Sequence, residues 1–513
     1  MSRVLRRLAV LGVLVGVVAG PWQAASANGP VILGAGSTWS QVQISQWQSD
    51  VTRLGIGVNY QGVGSTQGRA LFAGGTIDFG VSEIPFQKGV DAVPNRHFAY
   101  LPIVAGGTSV MYNLKTASGE QIRNLKLSAA NIALIFTGKI TNWSDKRLQS
   151  DGNRGLPNLP IRVVVRSDGS GTSAQFTKYL HETVPSIWNP FTNACGISTP
   201  TDGISFYPYG RSGCLPNAIG ASRSDGVANY IANPGLGNGA VGYVEAAYAI
   251  SRHLPVVGLK NKASNYALPT ASNVATALQH ATLNTDSTQE LGKVYTAPEA
   301  YAYPMSSYSY MIVPTDGIDP SKGAVLGQFI NYFACTGQQS SERLGYSPMP
   351  KRLVQFAFAA EKKIPGAPAP PALTASACAN PTITGAFKLN ATAANNVLPW
   401  TDLNQRFSGG SSSVNDPTQT NVNDPTQITE NPNQESVGPT VNGPGPDDNS
   451  SLPGQAGYAT NVPVLDPRSI APLRHAAAAE IATLDDPGRM PLVIASAVIL
   501  AVVFAPLALR FRR

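Results

Sequence analysis

The chain is 513 residues long and poor in several kinds of residue, and each shortage removes a class of function. It has four cysteines with no Cys-x-x-Cys spacing, and its five histidines (97, 181, 253, 280 and 475) are scattered. A metal centre needs thiolates or imidazoles at close spacing, so no metal site is expected. No Gly-x-Ser-x-Gly elbow surrounds Ser65 or Ser170, and no histidine lies close in sequence to either, so an activated nucleophile is not expected. Charged residues make up only 13% of the chain. The net charge of +7 is not a basic face. Six of the 37 Lys and Arg sit in the two terminal segments: Arg3, Arg6 and Arg7 at the start, and Arg510, Arg512 and Arg513 at the end. Neither segment holds an acidic residue, so the rest carries 31 basic against 30 acidic residues. A nucleic-acid partner calls for a basic face, and none is expected.

The two ends describe an exported, tethered protein. Arg3, Arg6 and Arg7 precede an apolar run from Leu8 to Ala19, and Ala25-Ser26-Ala27 is a small-residue cleavage site. Residues 1–27 therefore read as a secretory signal. Pro491 to Leu509 carries no charge and is long enough to cross a bilayer, and the arginines after it stay cytoplasmic. One membrane helix over 490–509 with a basic tail at 510–513 is expected. Export permits disulfides. Local pairing would join Cys195 to Cys214 and Cys335 to Cys378, but four cysteines allow three connectivities.

Between the ends, residues 28–366 mix apolar and polar runs with regular Gly and Pro punctuation. That is more chain than one core usually serves, so two lobes are expected. Strand-like runs (Tyr100 to Val104, Ser109 to Tyr112, Ile161 to Val165, Ala240 to Val244, Tyr310 to Val313) alternate with helical patterns (Thr38 to Val51, Ser173 to Leu180, Lys351 to Lys362). The class is α/β, with ligands expected at strand C-terminal ends. After 367 the composition changes. From Ser408 to Ser451 there is no aromatic residue, Lys or Arg, and Val414–Gln419 recurs as Val422–Gln427. Such a segment buries too little to offset its ordering entropy, so 367–489 reads as a disordered stalk. Within it, Cys378 and Trp400 mark 373–407 as partly packed on the body.

Three loops carry the functional signal: Gly34-Ala35-Gly36-Ser37-Thr38, Gly62-Val63-Gly64-Ser65-Thr66 and Arg166-Ser167-Asp168-Gly169-Ser170-Gly171-Thr172. Each follows a strand-like run and leads towards a helix. A helix N-terminus presents unpaired N–H groups and partial positive charge, and small residues let an anion approach them. Arg166, at a strand end, can hold two oxygens at once, with Asp168 fixing its fork. Taken singly, Ser and Thr at such places are ordinary helix caps, and the Arg–Asp pair an ordinary turn. Glu83 differs, because a carboxyl in an anion site repels a fully ionised ligand but accepts a hydrogen bond from one that keeps a proton. That favours hydrogen phosphate over sulfate.

These loops resemble those of the extracytoplasmic phosphate-binding proteins of the bacterial high-affinity phosphate ABC transporter, which have a type II periplasmic-binding-protein fold. The similarity runs from 31 to 366. It takes in Gly34–Trp39, Asn59–Ser65, Ile77–Gly80, Phe136–Trp143, Arg166–Thr172, Gly239–Glu245 and Gly345–Pro350. The resemblance implies that Thr38, Trp39, Ser65, Arg166, Ser170, Gly171 and Thr172 bind inorganic phosphate, with Asp168 holding Arg166. Trp39 stands where the family usually has Phe, and only its backbone N–H is needed. Glu83 stands where the family usually has Asp, and its extra methylene is expected to displace the ligand or weaken its short hydrogen bond. The resemblance further implies hinge strands, one lobe from 30–112 plus 256–366 and another from 113–255, and a Cys195–Cys214 staple in the second. The partners would be the permease subunits, with no cofactor and no bond made or broken. The competing readings are an exported hydrolase and a sensor or surface-interaction protein whose oxyanion specificity has changed or been lost.

Overall fold

The computed structural model describes residues 29–197, 203–210 and 214–398. The expected signal (1–27), Trp400, the repeat-bearing stretch and the expected membrane helix with its basic tail lie outside the described residues. Among the described residues no helix is long and apolar enough to cross a membrane.

Eight strands form the main sheet. They are β1 (Ile32–Gly36), β2 (Val58–Gly62), β3 (Phe79–Ser82), β4 (Phe98–Asn113), β5 (Arg162–Arg166), β6 (Ile219–Ala221), β7 (Ala240–Glu245) and β8 (Ser306–Pro314). Their order across the sheet is β2-β1-β3-β8-β4-β7-β5-β6. The β1, β2 and β3 strands are mutually parallel, as are β5, β6 and β7, so each half-sheet sends its loops out at strand C-terminal ends. The protein has the two-domain α/β architecture expected from the alternating pattern.

One strand joins the halves. Residues 98–107 of β4 pair with β8, and residues 108–113 pair with β7. The sequence predicts two strands here, Tyr100 to Val104 and Ser109 to Tyr112, but the structure has one of 16 residues that runs through Gly106-Gly107. These glycines mark close approach rather than a turn. A Cβ at Gly106 would lie 2.7 Å from the Trp39 ring, and one at Gly107 would lie 2.8 Å from Pro269.

The first loop also differs from expectation. Its helix, α1, spans Gln41–Thr52 rather than starting at Thr38. The reason lies in distant side chains. The hydroxyls of Tyr60, Tyr248 and Tyr346 donate to the carbonyls of Ser37, Thr38 and Trp39 at 2.7, 2.8 and 2.7 Å. Three successive carbonyls are thus tied to side chains from elsewhere in the chain just before the helix begins. The second loop leads into α2 (Ser65–Ala73) and the third into α3 (Gly171–Thr183). Ser170 caps α3 by accepting from the Ser173 N–H at 3.1 Å. The expected face of α3 is buried at Phe176, Tyr179 and Leu180, and Phe176 stacks on Tyr243 of β7. Further along lie α4 (Arg223–Ala232), α5 (Ala246–Ile250), α6 (Pro320–Ala334) and α7 (Lys351–Glu361).

Both local disulfides are formed, Cys195–Cys214 and Cys335–Cys378. Beyond residue 366 the chain stays packed as far as 398. Cys378 is fully buried, and Leu373 and Ile383 lie against the core. Asn380 donates to the carbonyls of Ala334 and Met349. Asn396 accepts from the Leu268 N–H and the Asn273 amide, and donates to the Tyr266 carbonyl.

Candidate functional site

The three loops meet between the half-sheets. Gly36 makes the first turn possible with φ +144°, and a Cβ there would lie 2.1 Å from the Val81 carbonyl oxygen. Thr38 then faces the opposite half. Its Oγ1 accepts from the Ser224 N–H at 3.2 Å and shares a hydrogen bond with the Ser224 Oγ at 3.0 Å. Trp39 packs edge-on against Tyr346 and donates from Nε1 to Thr108 Oγ1. Gly64, at φ +95°, brings the second loop against the third, where a Cβ would lie 2.8 Å from Asp168 Oδ2. The Thr66 N–H donates to the Gly169 carbonyl across the same contact.

Arg166 is 2% exposed. Its Nε and Nη2 donate to the two Asp168 oxygens at 2.8 and 2.5 Å, and Nη1 reaches Ser224 Oγ at 3.3 Å. The Arg223 N–H also donates to Asp168. Burial raises the Asp168 pKa, but the bonds and charge of Arg166 outweigh it and hold the carboxyl below its ordinary range. Burial likewise opposes the Arg166 charge, and Asp168 more than restores it. This pair therefore stays ionised in the interior, as its fork geometry allows.

Glu83 gathers hydroxyls. Ser65 donates to Oε2 at 2.6 Å, Ser309 donates to Oε1 at 3.0 Å, and Ser37 donates to Oε1 as well. Its side chain reaches the start of α3, because a Cβ on Gly171 would lie 2.2 Å from Oε2 and 2.8 Å from Ser65 Oγ. The Glu83 β-carbon lies close as well, 3.0 Å from that point, so the whole side chain rests against the opposite half. The first N–H groups of α3, at Gly171 and Thr172, have no partner within their own helix. Thr172 Oγ1 is buried without a hydrogen bond.

Thr38, Trp39, Ser65, Glu83, Arg166, Ser170 and Thr172 are each at most 2% exposed. All the residues singled out from the sequence, with Asp168 and Gly171, therefore come together in one enclosed cluster. The cluster gathers hydroxyls, the first N–H groups of α3 and the Arg166 guanidinium, with the Glu83 carboxyl as a hydrogen-bond acceptor. A groove of about 710 Å³ opens beside it, bounded by Arg166 itself with Thr66, Lys88, Val90, Ser167 and Phe206. Among the described residues no group of three His, Cys, Asp or Glu is placed to hold a metal ion.

Sequence reasoning missed Ser37, Ser224 and Ser309. Ser224 lies in the first turn of α4, and Ser309 lies inside β8. Their partners are 186 and 226 residues away, and no local signal announces such contacts. It also missed the three tyrosines that hold the first loop.

Comparison with known proteins gives the relatives of the chain. The profile of the PBP superfamily domain matches residues 23–336. The protein named Phosphate-binding protein PstS from Xylella fastidiosa is 30% identical over 328 residues, covering 63% of this chain and 83% of the relative. The one of the same name from Methanocaldococcus jannaschii is 27% identical over 353 residues, covering 65% and 86%. Among solved structures, a high affinity periplasmic phosphate-binding protein bound with phosphate is 21% identical, covers 64% of this chain and 93% of its own, and has a TM-score of 0.49.

Proposed function

The chain belongs to the phosphate-binding proteins of the PBP superfamily, a family of substrate-binding proteins rather than enzymes, and from that premise we propose that it is a tethered extracytoplasmic receptor for inorganic phosphate. The observation that carries the reading is the enclosed cluster in which helix starts from both half-sheets surround the Arg166–Asp168 pair. Phosphate takes N–H donation from Thr38, Trp39, Ser65, Gly171 and Thr172, hydroxyl donation from Thr38, and the charge of Arg166, while the Ser65 hydroxyl gives its one proton to Glu83 and braces the cage. Ser170 supports the α3 N-terminus and closes the cage. Glu83 accepts a hydrogen bond from a ligand O–H that keeps its proton, which disfavours sulfate.

In this reading the lobes are 30–112 with 256–366, and 113–255. They close about β4 and its partner β7 as a hinge. Residues 490–509 hold the receptor at the membrane, the stretch after 398 gives it reach, and captured phosphate passes to the permease subunits of an ABC transporter.

Calorimetry on the purified full-length chain tests the reading, with sulfate and arsenate as competitors. One-to-one phosphate binding that sulfate does not displace is expected. In Arg166→Ala that binding falls by at least about thirtyfold, since truncating one partner of a buried charge pair costs about 2–5 kcal/mol. A well-folded sample that gives no heat with phosphate would overturn it.

A further inference from the structure

The cage has a second carboxyl behind it that phosphate capture, as described so far, does not use. Glu245 ends β7 and pairs across the sheet with Thr108 of β4, where β4 passes from one half-sheet to the other. It is 0% exposed, and neither carboxyl oxygen accepts a hydrogen bond from another residue. An ionised carboxylate buried without donors is costly.

The charged and titratable groups facing it come from every side. They are Arg166 at the end of β5, Glu83 after β3, Tyr248 in α5, Arg252 just beyond α5 and Tyr346 before α7. The candidate donors among them are committed elsewhere. The Tyr248 and Tyr346 hydroxyls give their single protons to the Thr38 and Trp39 carbonyls. Arg166 is engaged by Asp168 and Ser224, and Arg252 by Asn229, Ser251 and the Tyr248 carbonyl. Burial pushes the Glu245 pKa well up, Glu83 adds to it, and the two arginines do not offset the rise. The neutral acid is therefore the form that this enclosed arrangement accepts. Ionised, Glu245 would put a negative charge beside Arg166 and behind the Thr38–Trp39 corner, against any anion in the cage.

We propose that Glu245 couples a proton to anion binding at this site, held as a neutral acid while the anion is bound and ionising as the anion is released. The proposal rests on the phosphate-receptor reading. Its carboxyl sits at the crossing between the half-sheets, so separating them about β4 and β7 gives it water and eases its ionisation. Its pKa is then higher in the bound state than in the free state. Affinity is full below the free-state pKa and is lost as pH rises from there towards the bound-state pKa.

The test is phosphate affinity of the full-length chain from about pH 5.5 to 9, for the unaltered protein and for Glu245→Gln, which is neutral throughout. The ligand and the other groups of the site are common to both, so the ratio of the two affinities isolates Glu245. That ratio is expected to favour Glu245→Gln increasingly as pH rises, by up to about tenfold per pH unit between the two pKa values. The unaltered protein is also expected to take up more protons on binding, read from calorimetry in two buffers of different ionisation enthalpy. A purely structural role would shift affinity equally at every pH, and a flat ratio would overturn the proposal. Glu245→Leu, which suits the apolar surroundings, serves as the second neutral variant if Gln unsettles the fold. Absence of phosphate binding by the unaltered chain at every pH would overturn the receptor reading, and the proposal with it.

Discussion

Gly171→Ala should separate binding from stability. Gly171 opens α3, and its φ is not in the left-handed region, so alanine fits the backbone there. Alanine in place of glycine in a helix is worth about 0.5–1 kcal/mol, so the fold is expected to hold or to gain slightly. The new methyl, however, would lie 2.2 Å from Glu83 Oε2 and 2.8 Å from Ser65 Oγ, both on the opposite half of the molecule. To reach ordinary contact the carboxyl must retreat by about an ångström. Ser65 donates to that same oxygen at 2.6 Å, so the retreat breaks the bond or keeps the halves apart. A hydrogen bond to a charged group is worth about 1.5–3 kcal/mol, which corresponds to a roughly ten- to hundredfold loss of phosphate affinity. Calorimetry gives the affinity and a thermal melt gives the stability. Affinity equal to that of the unaltered chain would refute the reasoning. So would a melt lowered in step with affinity, because the clash would then lie within one half and not across the closure.

Two further predictions concern the scaffold. Glu361, at the end of α7 beside Asn331 of α6, is buried, and its carboxyl is pushed up to about 8 by that burial. Its folded pKa lies above the ordinary 4.5, so stability is full below about 4.5 and declines as pH climbs towards 8. Melting temperatures of Glu361→Gln and the unaltered protein should therefore diverge over that window in favour of the variant, and a constant gap would contradict this. The Cys335–Cys378 bond closes a loop with a separation of 43 residues, which corresponds to about 4 kcal/mol of chain entropy. Denaturant unfolding of the double Cys→Ala variant should show a loss of that order with phosphate affinity retained, and undiminished stability would argue that the tail adds nothing.

How much of this was legible in the sequence differs from residue to residue. The strand before Arg166 and the capped start of α3 could be read locally, because apolar runs and Ser or Gly at helix starts act over a few residues. Two strands are expected where β4 in fact runs unbroken through Gly106-Gly107. A glycine pair signals either a turn or a close approach, and the rings of Trp39 and Tyr303 that approach here come from elsewhere in the chain. The start of α1 was placed three residues early for a related reason, since tyrosines as far away as Tyr346 hold the carbonyls of Ser37, Thr38 and Trp39.

By itself the sequence determined the chemistry of the site. It supplied three small-residue loops after strands, one arginine with its aspartate, and a carboxyl at 83. Those are choices of residue type, and they hold wherever the chain goes. Tertiary structure alone decided what each group faces. It put Ser224 on Thr38, three hydroxyls on Glu83, the Glu83 carboxyl against Gly171, and Glu245 at the crossing of the halves with no donor. Such contacts join residues tens to hundreds of positions apart, and burial takes away the water that would otherwise satisfy them. Hydrogen-bond partners and the cost of charge were therefore set by packing, which no local pattern records.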